Sequence, residues 1–549
     1  MTHRALPALG VLAAVALAVG VATGSGRDSG SERVARQFAL AWQRGDYEAM
    51  HSLISDPARR RYSAAAFKRA YEQAAVTATA DSLRVGDPSG GKGGRVRIGV
   101  RTRTRLFGDL RGSVELPVGG ERVDWSPDLA FPGLDGDERL VRRTIEPRRG
   151  TIVSVDDKVL AQGPAGARSS PLGELASSIA GSVAPSANPK ERTALYQRGF
   201  ARDTQTGKTG LERVLDEELA GRPGGTLLAG RRVLARARPK PGGRVRSTID
   251  TRLQQSAVTA LADRLGGVAA LDPRTGEVRA LAGIAFSAPQ PPGSTFKIVT
   301  TTAALKAGAV KLSDKFPVQT KAVIDGVDLG NANGESCGGT FVESFAESCN
   351  SVFAPLGVKV GAKDLVATAE RFGFNEEPGL PGAQRSSLPQ ASATNTPLEV
   401  GSTAIGQFKV LATPLQMASV AQTIANDGVR LRPSLRPRMR ATPVQVASKG
   451  VTDQVERLMV GVVRHGTGTA AAVPGVEVAG KTGTAELGDS RGPDGGQTSD
   501  PDNTDAWFTS YAPAGKPRIA VAVLLVRNGA GGATAAPAAR IVLDRALRK

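Results

Sequence analysis

Apolar side chains recur with two different periods in the first part of the chain. In SERVARQFALAWQRGDYEAMHSLI (residues 31–54) they fall at Val34, Phe38, Leu40, Ala41 and Trp42, and SAAAFKRAYEQAAV (63–76) keeps a similar spacing. Both stretches predict helix. Over residues 82–124 the period drops to two, in SLRV, RVRIGVRTRTRLF and GSVELPV. That alternation predicts strands with one face buried. Helices followed by an antiparallel sheet predict a small α+β domain over 30–145.

Residues 146–245 show neither period for long and are rich in Gly, Pro and Arg. They predict an irregular connecting domain with one helix at GLERVLDEELAG (210–221), stopped by Gly221 and Pro223. From residue 246 the patterns return. TIDTRLQQSAVTALADRL predicts an amphipathic helix, GVAALDPRTGEVRALAG a hairpin turning at PRTGE, and DAWFTSYAPAGKPRIAVAVLLVRN a second hairpin turning at PAGKP. AAPAARIVLDRALRK predicts a closing helix. Hairpins at both ends of 246–549, with helical patterns between, predict one large domain whose antiparallel sheet gathers both chain ends and is flanked by helices. The fold class expected is multidomain α+β.

Residues 5–22, ALPALGVLAAVALAVGVA, carry no charge and follow His3 and Arg4. That length spans a bilayer, and the preceding positive charge places the rest outside. An anchor over 1–25 is expected, with a cleaved secretory signal as the alternative. Either way the remainder is exported. A chain of 549 residues implies two to four domains, and 40% hydrophobic with 22% charged residues excludes wholesale disorder. The net charge of +19 is compatible with anionic partners, but RRR (59–61) and RPRMR (436–440) are short, so the charge reads as scattered arginine. Two cysteines, Cys337 and Cys349, and three histidines leave no four-ligand zinc site. In an exported chain the two thiols either form one disulfide closing a short loop or remain buried and free.

Residues 475–482, GVEVAGKT, spell a phosphate-binding loop. Pro474 precedes them with no strand pattern, and the glycine-rich GTAELGDSRGPDGG follows where a helix is required. The nucleotide reading fails on both sides. A different reading joins three segments. PPGSTFK supplies Ser294 and Lys297, three apart and so on one helical face. SCN supplies Ser348 and Asn350. KTGT supplies Lys481, Thr482, Gly483 and Thr484. A serine hydroxyl needs a base, and a lysine serves once burial and a second cation lower its pKa. A second Lys208-Thr209-Gly210 runs straight into a helical pattern and reads as structural. With only His51 and His465 beyond the anchor, a Ser–His–Asp triad is poorly supported.

The order Ser-x-x-Lys, Ser-x-Asn, Lys-Thr-Gly resembles that of the class B penicillin-binding proteins. FVESFAESCNSVFAPLG, AIGQFKVLATPLQMASVAQTIANDG and DAWFTSYAP resemble the transpeptidase domain of that family. GKTGLERVLDEELAGRPG is similar to its pedestal or dimerisation region, and VDWSPDLAFPGL to the end of an NTF2-like N-terminal domain. The resemblance implies four parts: the anchor (1–25), an NTF2-like domain (30–145), a pedestal (146–245) and a serine β-lactamase-like transpeptidase domain (246–549).

It also implies roles. Ser294 attacks a D-alanyl carbonyl, Lys297 takes its proton, and Ser348 relays a proton to the leaving group. Asn350 holds the peptide amide and Lys481 supplies positive field. Thr482 and Thr484, either side of Gly483, bind the terminal carboxylate. Gln407 is expected to pack behind the site. The substrates implied are peptidoglycan stem peptides, with β-lactams entering the same path. No cofactor, metal, nucleotide or nucleic acid is called for. The implied location is the bacterial cell membrane, single-pass, with the catalytic domain outside. No glycosyltransferase domain fits before residue 246, so the resemblance implies a membrane glycan polymerase as partner. A β-lactam-hydrolysing or -sensing protein of the same fold, a D,D-carboxypeptidase and an inactive scaffold are the alternatives.

Overall fold

Strands in this chain are of two kinds, set apart by what their alternate residues face. The computed structural model describes residues 30–90, 92–439, 442–488 and 501–548. The expected anchor lies outside these residues, and among those described no helix is long and apolar enough to cross a membrane. The chain divides into two units. One ends its first segment at Arg149 and takes in Ala184–Thr206 and Ala220–Gly242; the other comprises Gly150–Val183, Gly207–Leu219 and the chain from Gly243. The region expected as a pedestal therefore contributes segments to both.

In the first unit the strands have one wet face. Helices α1 (Gly30–Arg44) and α2 (Ala64–Ala78) pack on the sheet β1 (Ala80–Gly90), β2 (Arg95–Thr104), β3 (Gly108–Gly119) and β4 (Arg122–Val123), paired in that order. On β2, Val96, Ile98, Val100, Thr102 and Thr104 are buried, while Arg95, Arg97, Arg101 and Arg103 face out. The buried side meets Phe38 and Trp42 of α1 and Phe67 and Tyr71 of α2. Trp125 Nε1 donates to the Tyr71 hydroxyl at 2.9 Å, satisfying a buried indole. Leu40, counted in the apolar pattern, points outward at 44% exposure, because Ala39 and Ala41 already complete the inward stripe of α1.

In the second unit the central strands have no wet face. Helix α3 (Thr251–Leu261) leads into β5 (Gly266–Leu271) and β6 (Val278–Gly283); β7 (Ala479–Glu486), β8 (Thr504–Ala512) and β9 (Ile519–Leu525) complete an antiparallel sheet of order β6-β5-β9-β8-β7. Both predicted hairpins form, and the sheet joins the two ends of the region. Alternate residues of β9 enter two cores. Ala520, Ala522 and Leu524 share one with the buried helix Pro414–Ala425; Val521, Val523 and Leu525 share the other with α3 and the C-terminal helix Ala535–Leu547. Burial on both faces explains why IAVAVLL reads as a continuous apolar run. The helix expected over 210–221 is broken into Gly210–Val214 and Asp216–Leu219. Asp216 turns back to accept from Gly207 N at 2.7 Å, which holds the break.

Candidate active site

Ser294 sits on a tight turn, Gly293–Phe296, that runs into helix α4 (Lys297–Lys306). Gly293 has φ +50°, and a Cβ there would stand 2.8 Å from the Thr484 carbonyl oxygen. A Cβ on Gly483 would stand 2.8 Å from the Pro292 carbonyl oxygen and 2.9 Å from Thr295 Cγ2. Both glycines are needed for one reason: the serine turn and strand β7 touch through bare backbone. β7 is the edge strand of the sheet, with Lys481 paired opposite Thr509 of β8. A strand here, with no helix opening at Lys481, rules out the phosphate-loop reading.

The second segment joins α5 (Phe341–Ala346) to α6 (Asn350–Val360), and α5 opens on a Thr340–Glu343 capping box. Ser348, between them, adopts φ +66°, an unusual conformation for a non-glycine residue. That turn aims its carbonyl and its hydroxyl at the same neighbours. Lys297 Nζ lies 2.6 Å from Ser348 O, 2.7 Å from Asn350 Oδ1 and 3.2 Å from Ser348 Oγ. Lys481 Nζ donates to Ser348 Oγ at 2.8 Å and to Thr482 O at 3.1 Å. Asn350 Nδ2 donates to Gly330 O at 2.7 Å, which fixes its amide. Cys337 and Cys349 form a disulfide, tying the residue between Ser348 and Asn350 to the strand Cys337–Thr340.

Lys297 and Lys481 are both fully buried, whereas Ser294, Ser348 and Asn350 are half-buried above them. Phe353 lies under the Lys297 ammonium nitrogen at 5.3 Å and Phe345 near that of Lys481 at 5.6 Å. Burial, reinforced by the charge of Lys481, pushes Lys297 well below the ordinary lysine range. Burial also lowers Lys481 to about 7, opposed by the nearby Glu347. Lys297 Nζ donates to Ser348 O and Asn350 Oδ1 and, at longer range, to Ser348 Oγ, which also accepts from Lys481; desolvation is what favours the neutral amine at Lys297. The Ser294 hydroxyl makes no hydrogen bond among the described residues, as is common before a substrate closes the contact.

Lys297, Ser348, Asn350 and Lys481 thus share one network, and Ser294 lies on the adjoining turn. Thr482 and Thr484 flank Gly483 on the same strand, but their hydroxyls differ. Thr482 Oγ1 lies 2.6 Å from Thr467 Oγ1, while Thr484 Oγ1 accepts from Gly531 N at 3.3 Å. Thr467 had no signal beyond its place in a glycine-rich turn. Gln407, expected behind the site, is half-buried and lines a hollow of about 590 Å³ together with Asn350, Ser402, Phe408 and Leu487. Lys208 N donates to Ser182 O at 2.8 Å and the Thr209 hydroxyl contacts Ser182, a turn contact outside this network. Among the described residues no group of three or more His, Cys, Asp or Glu is arranged to hold a metal.

The chain has known relatives. Residues 266–544 match the family described as penicillin binding protein transpeptidase domain, and 163–233 match penicillin-binding protein dimerisation domain. Peptidoglycan D,D-transpeptidase PbpA of Mycolicibacterium smegmatis is 33% identical over 427 residues, covering 65% of this chain and 82% of that protein. The chain belongs to the class B penicillin-binding proteins. Among solved structures, the penicillin G acyl-enzyme of Mycobacterium tuberculosis penicillin-binding protein A superposes with a TM-score of 0.58 at 27% identity, covering 73% of this chain and all of that one. Pseudomonas aeruginosa PBP2 in complex with WCK 5153 gives 0.64 at 27%, covering 74% and 97%. In this penicillin-binding protein the paired lysines therefore lie within the span that the family match covers, 266–544.

Proposed function

We propose that this chain is a peptidoglycan D,D-transpeptidase working through a Ser294 acyl-enzyme. The observation that carries the reading is the Ser348 hydroxyl held between Lys297 Nζ at 3.2 Å and Lys481 Nζ at 2.8 Å. Ser294 Oγ attacks the penultimate D-alanyl carbonyl and its proton passes to the neutral Lys297 amine. The C–N bond to the terminal D-alanine breaks, and the proton travels through Ser348 to the departing nitrogen. Lys481 stabilises negative charge, and the Thr482 and Thr484 hydroxyls meet the terminal carboxylate. Backbone N–H groups of Ser294 and Thr484 form the oxyanion hole. An amine of a second stem peptide then attacks the ester, forming the cross-link and returning the proton to Ser294. A β-lactam acylates the same oxygen and leaves slowly.

The helices and four-stranded antiparallel sheet of residues 30–145 support an NTF2-like domain, and the match over 163–233 supports a pedestal within 146–245. The apolar run 5–22 supports a single-pass anchor with the catalytic domain outside the bacterial membrane, and family membership is the ground for a membrane glycan polymerase as partner. The test uses the full chain incubated with penicillin and mapped by mass spectrometry. One adduct on Ser294, absent from Ser294→Ala, is expected, as is cross-linked product from paired stem peptides. An adduct elsewhere, or none, overturns the mechanism. Rapid nitrocefin turnover would make it a hydrolase, and D-alanine release without cross-linking a carboxypeptidase.

A further inference from the structure

The outer face of the sheet in the first unit carries an arrangement of charge that the transpeptidase reaction does not use. Arg84 of β1 pairs opposite Arg101 of β2, and Arg101 pairs opposite Arg111 of β3, so three arginines stand in register across three strands. Arg95, Arg97 and Arg103 share that face of β2. Like charges directly opposite one another destabilise a sheet. Among the described residues two of these six arginines are paired with carboxylates: Asp109 bonds Arg101, and Glu115 accepts from Arg97 at 2.8 Å. Hydrogen bonding to those arginines, with the charges of Arg103, Arg111 and Arg95 nearby, holds both carboxyls below their ordinary range. Arg97 and Arg101 remain 63% and 50% exposed after pairing. At the end of the three strands where Ser82, Arg84, Arg101, Arg103, Thr104, Gly108 and Asp109 meet lies an open hollow of about 500 Å³, large enough for a phosphate group and its hydration.

We propose that this arginine face docks on a surface of anionic phospholipid headgroups. A bilayer fits better than a single anionic strand, because the charges spread in two dimensions over a sheet face instead of following one groove. The chain's own layout agrees. Ala22, the last residue of the apolar run, is eight residues before Gly30, a reach of at most about 28 Å when fully extended. Near the C-terminal end of α1, Gln43 Oε1 accepts from Val85 N at 2.9 Å, and midway along it Arg36 bonds Asp87, so α1 runs back toward the end of β1 that pairs with Ile98 and Arg97. The first unit thus begins at the end of the sheet where Arg95 and Arg97 lie. This tether argument rests on the anchor reading; the charge argument does not.

The experiment uses the full chain with Ser113→Cys, a position opposite Gly99 on the same face. Because Cys337 and Cys349 are bonded to each other, a thiol fluorophore marks that position alone. The chain is reconstituted in phosphatidylcholine vesicles, with or without phosphatidylglycerol, carrying a headgroup quencher. Quenching is expected to be about twofold or more stronger with phosphatidylglycerol, and to fall away on raising ionic strength tenfold, which shortens the screening length about threefold. It should also vanish in Arg84→Glu/Arg103→Glu/Arg111→Glu, while that variant keeps the parent's circular dichroism and tryptophan emission, the first unit burying Trp42 and Trp125, and still forms the Ser294 penicillin adduct. Equal quenching in both lipids, or quenching that survives the charge reversal, overturns the proposal. So does a response to soluble polyphosphate with none to phosphatidylglycerol vesicles, which assigns the face to a soluble polyanion. Failure to float with phosphatidylcholine vesicles removes only the anchor. The face is then judged by whether the parent chain floats with phosphatidylglycerol vesicles and the reversed variant does not.

Discussion

A lysine acts as a base only when it is neutral, and its neighbour supplies positive field only when it is charged. The two active-site lysines divide those states: burial and the charge of Lys481 push Lys297 well below the ordinary lysine range, and burial lowers Lys481 to about 7. For the free enzyme, acylation efficiency therefore rises as pH climbs through the lowered pKa of Lys297. It falls again as pH passes about 7, where Lys481 loses its proton. A bound carboxylate favours the charged form of Lys481 and raises its pKa. The limiting acylation rate at saturating penicillin is thus expected to hold to higher pH than the second-order constant. Stopped-flow acylation across pH measures both, and profiles that are flat between about pH 6 and pH 9 would contradict the assignment. The residues of this network were legible because the chemistry fixes their local spacing. Thr467 was not, since no spacing links its hydroxyl to Thr482, fifteen residues along the chain. The left-handed Ser348 was also hidden, because a backbone angle at a non-glycine residue leaves no mark in composition.

Elements carry these residues, and one covalent tie stiffens the element that matters most. The disulfide closes a loop of twelve residues' separation and ends between Ser348 and Asn350, both bonded to Lys297. A loop of that size is stabilised by about 3 kcal/mol when closed. Cys337→Ser/Cys349→Ser is expected to lose about that much stability and also to acylate more slowly, because the left-handed turn at Ser348 loses its restraint. Chemical denaturation with penicillin acylation, each before and after mild reduction of the parent chain, checks the two effects separately. Unchanged acylation alongside lowered stability would confine the bridge to a structural role. At this scale the sequence was informative wherever burial was one-sided or complete: the alternating strand β2 and the apolar run of β9 were both apparent. It was misleading where a short contact overrode propensity. The helix expected over 210–221 breaks because the Asp216 carboxylate is drawn to Gly207 N.

At the scale of the whole molecule, sequence patterns suggest cutting the chain before residue 246, where regular elements resume. The contacts argue otherwise. Ile152, Leu160, Ile179, Leu211, Leu215 and Leu219 all precede that point, yet they belong to the same buried cluster as Ile249, Leu271, Leu281 and Phe296. The strand Thr151–Val153 also pairs in parallel with Arg244–Arg246. Non-local membership of this kind is invisible to a local period, which reports that a residue is buried but not against what. Burying six large aliphatic side chains is worth on the order of 10 kcal/mol, at roughly 1.5–3 kcal/mol each. That is an upper bound, since part of the area is shared among the six themselves. It is still comparable to the whole stability of an ordinary domain, about 5–15 kcal/mol. A fragment starting at residue 246 is therefore expected to be aggregated or molten and to leave Ser294 unlabelled by fluorescent penicillin, while the full chain is labelled. Adding residues 150–245 back in the same polypeptide should restore labelling, because it returns the missing side of the core. A fragment from 246 that melts cooperatively and labels at the full-chain rate would show that the earlier segments pack on the catalytic core without supporting it.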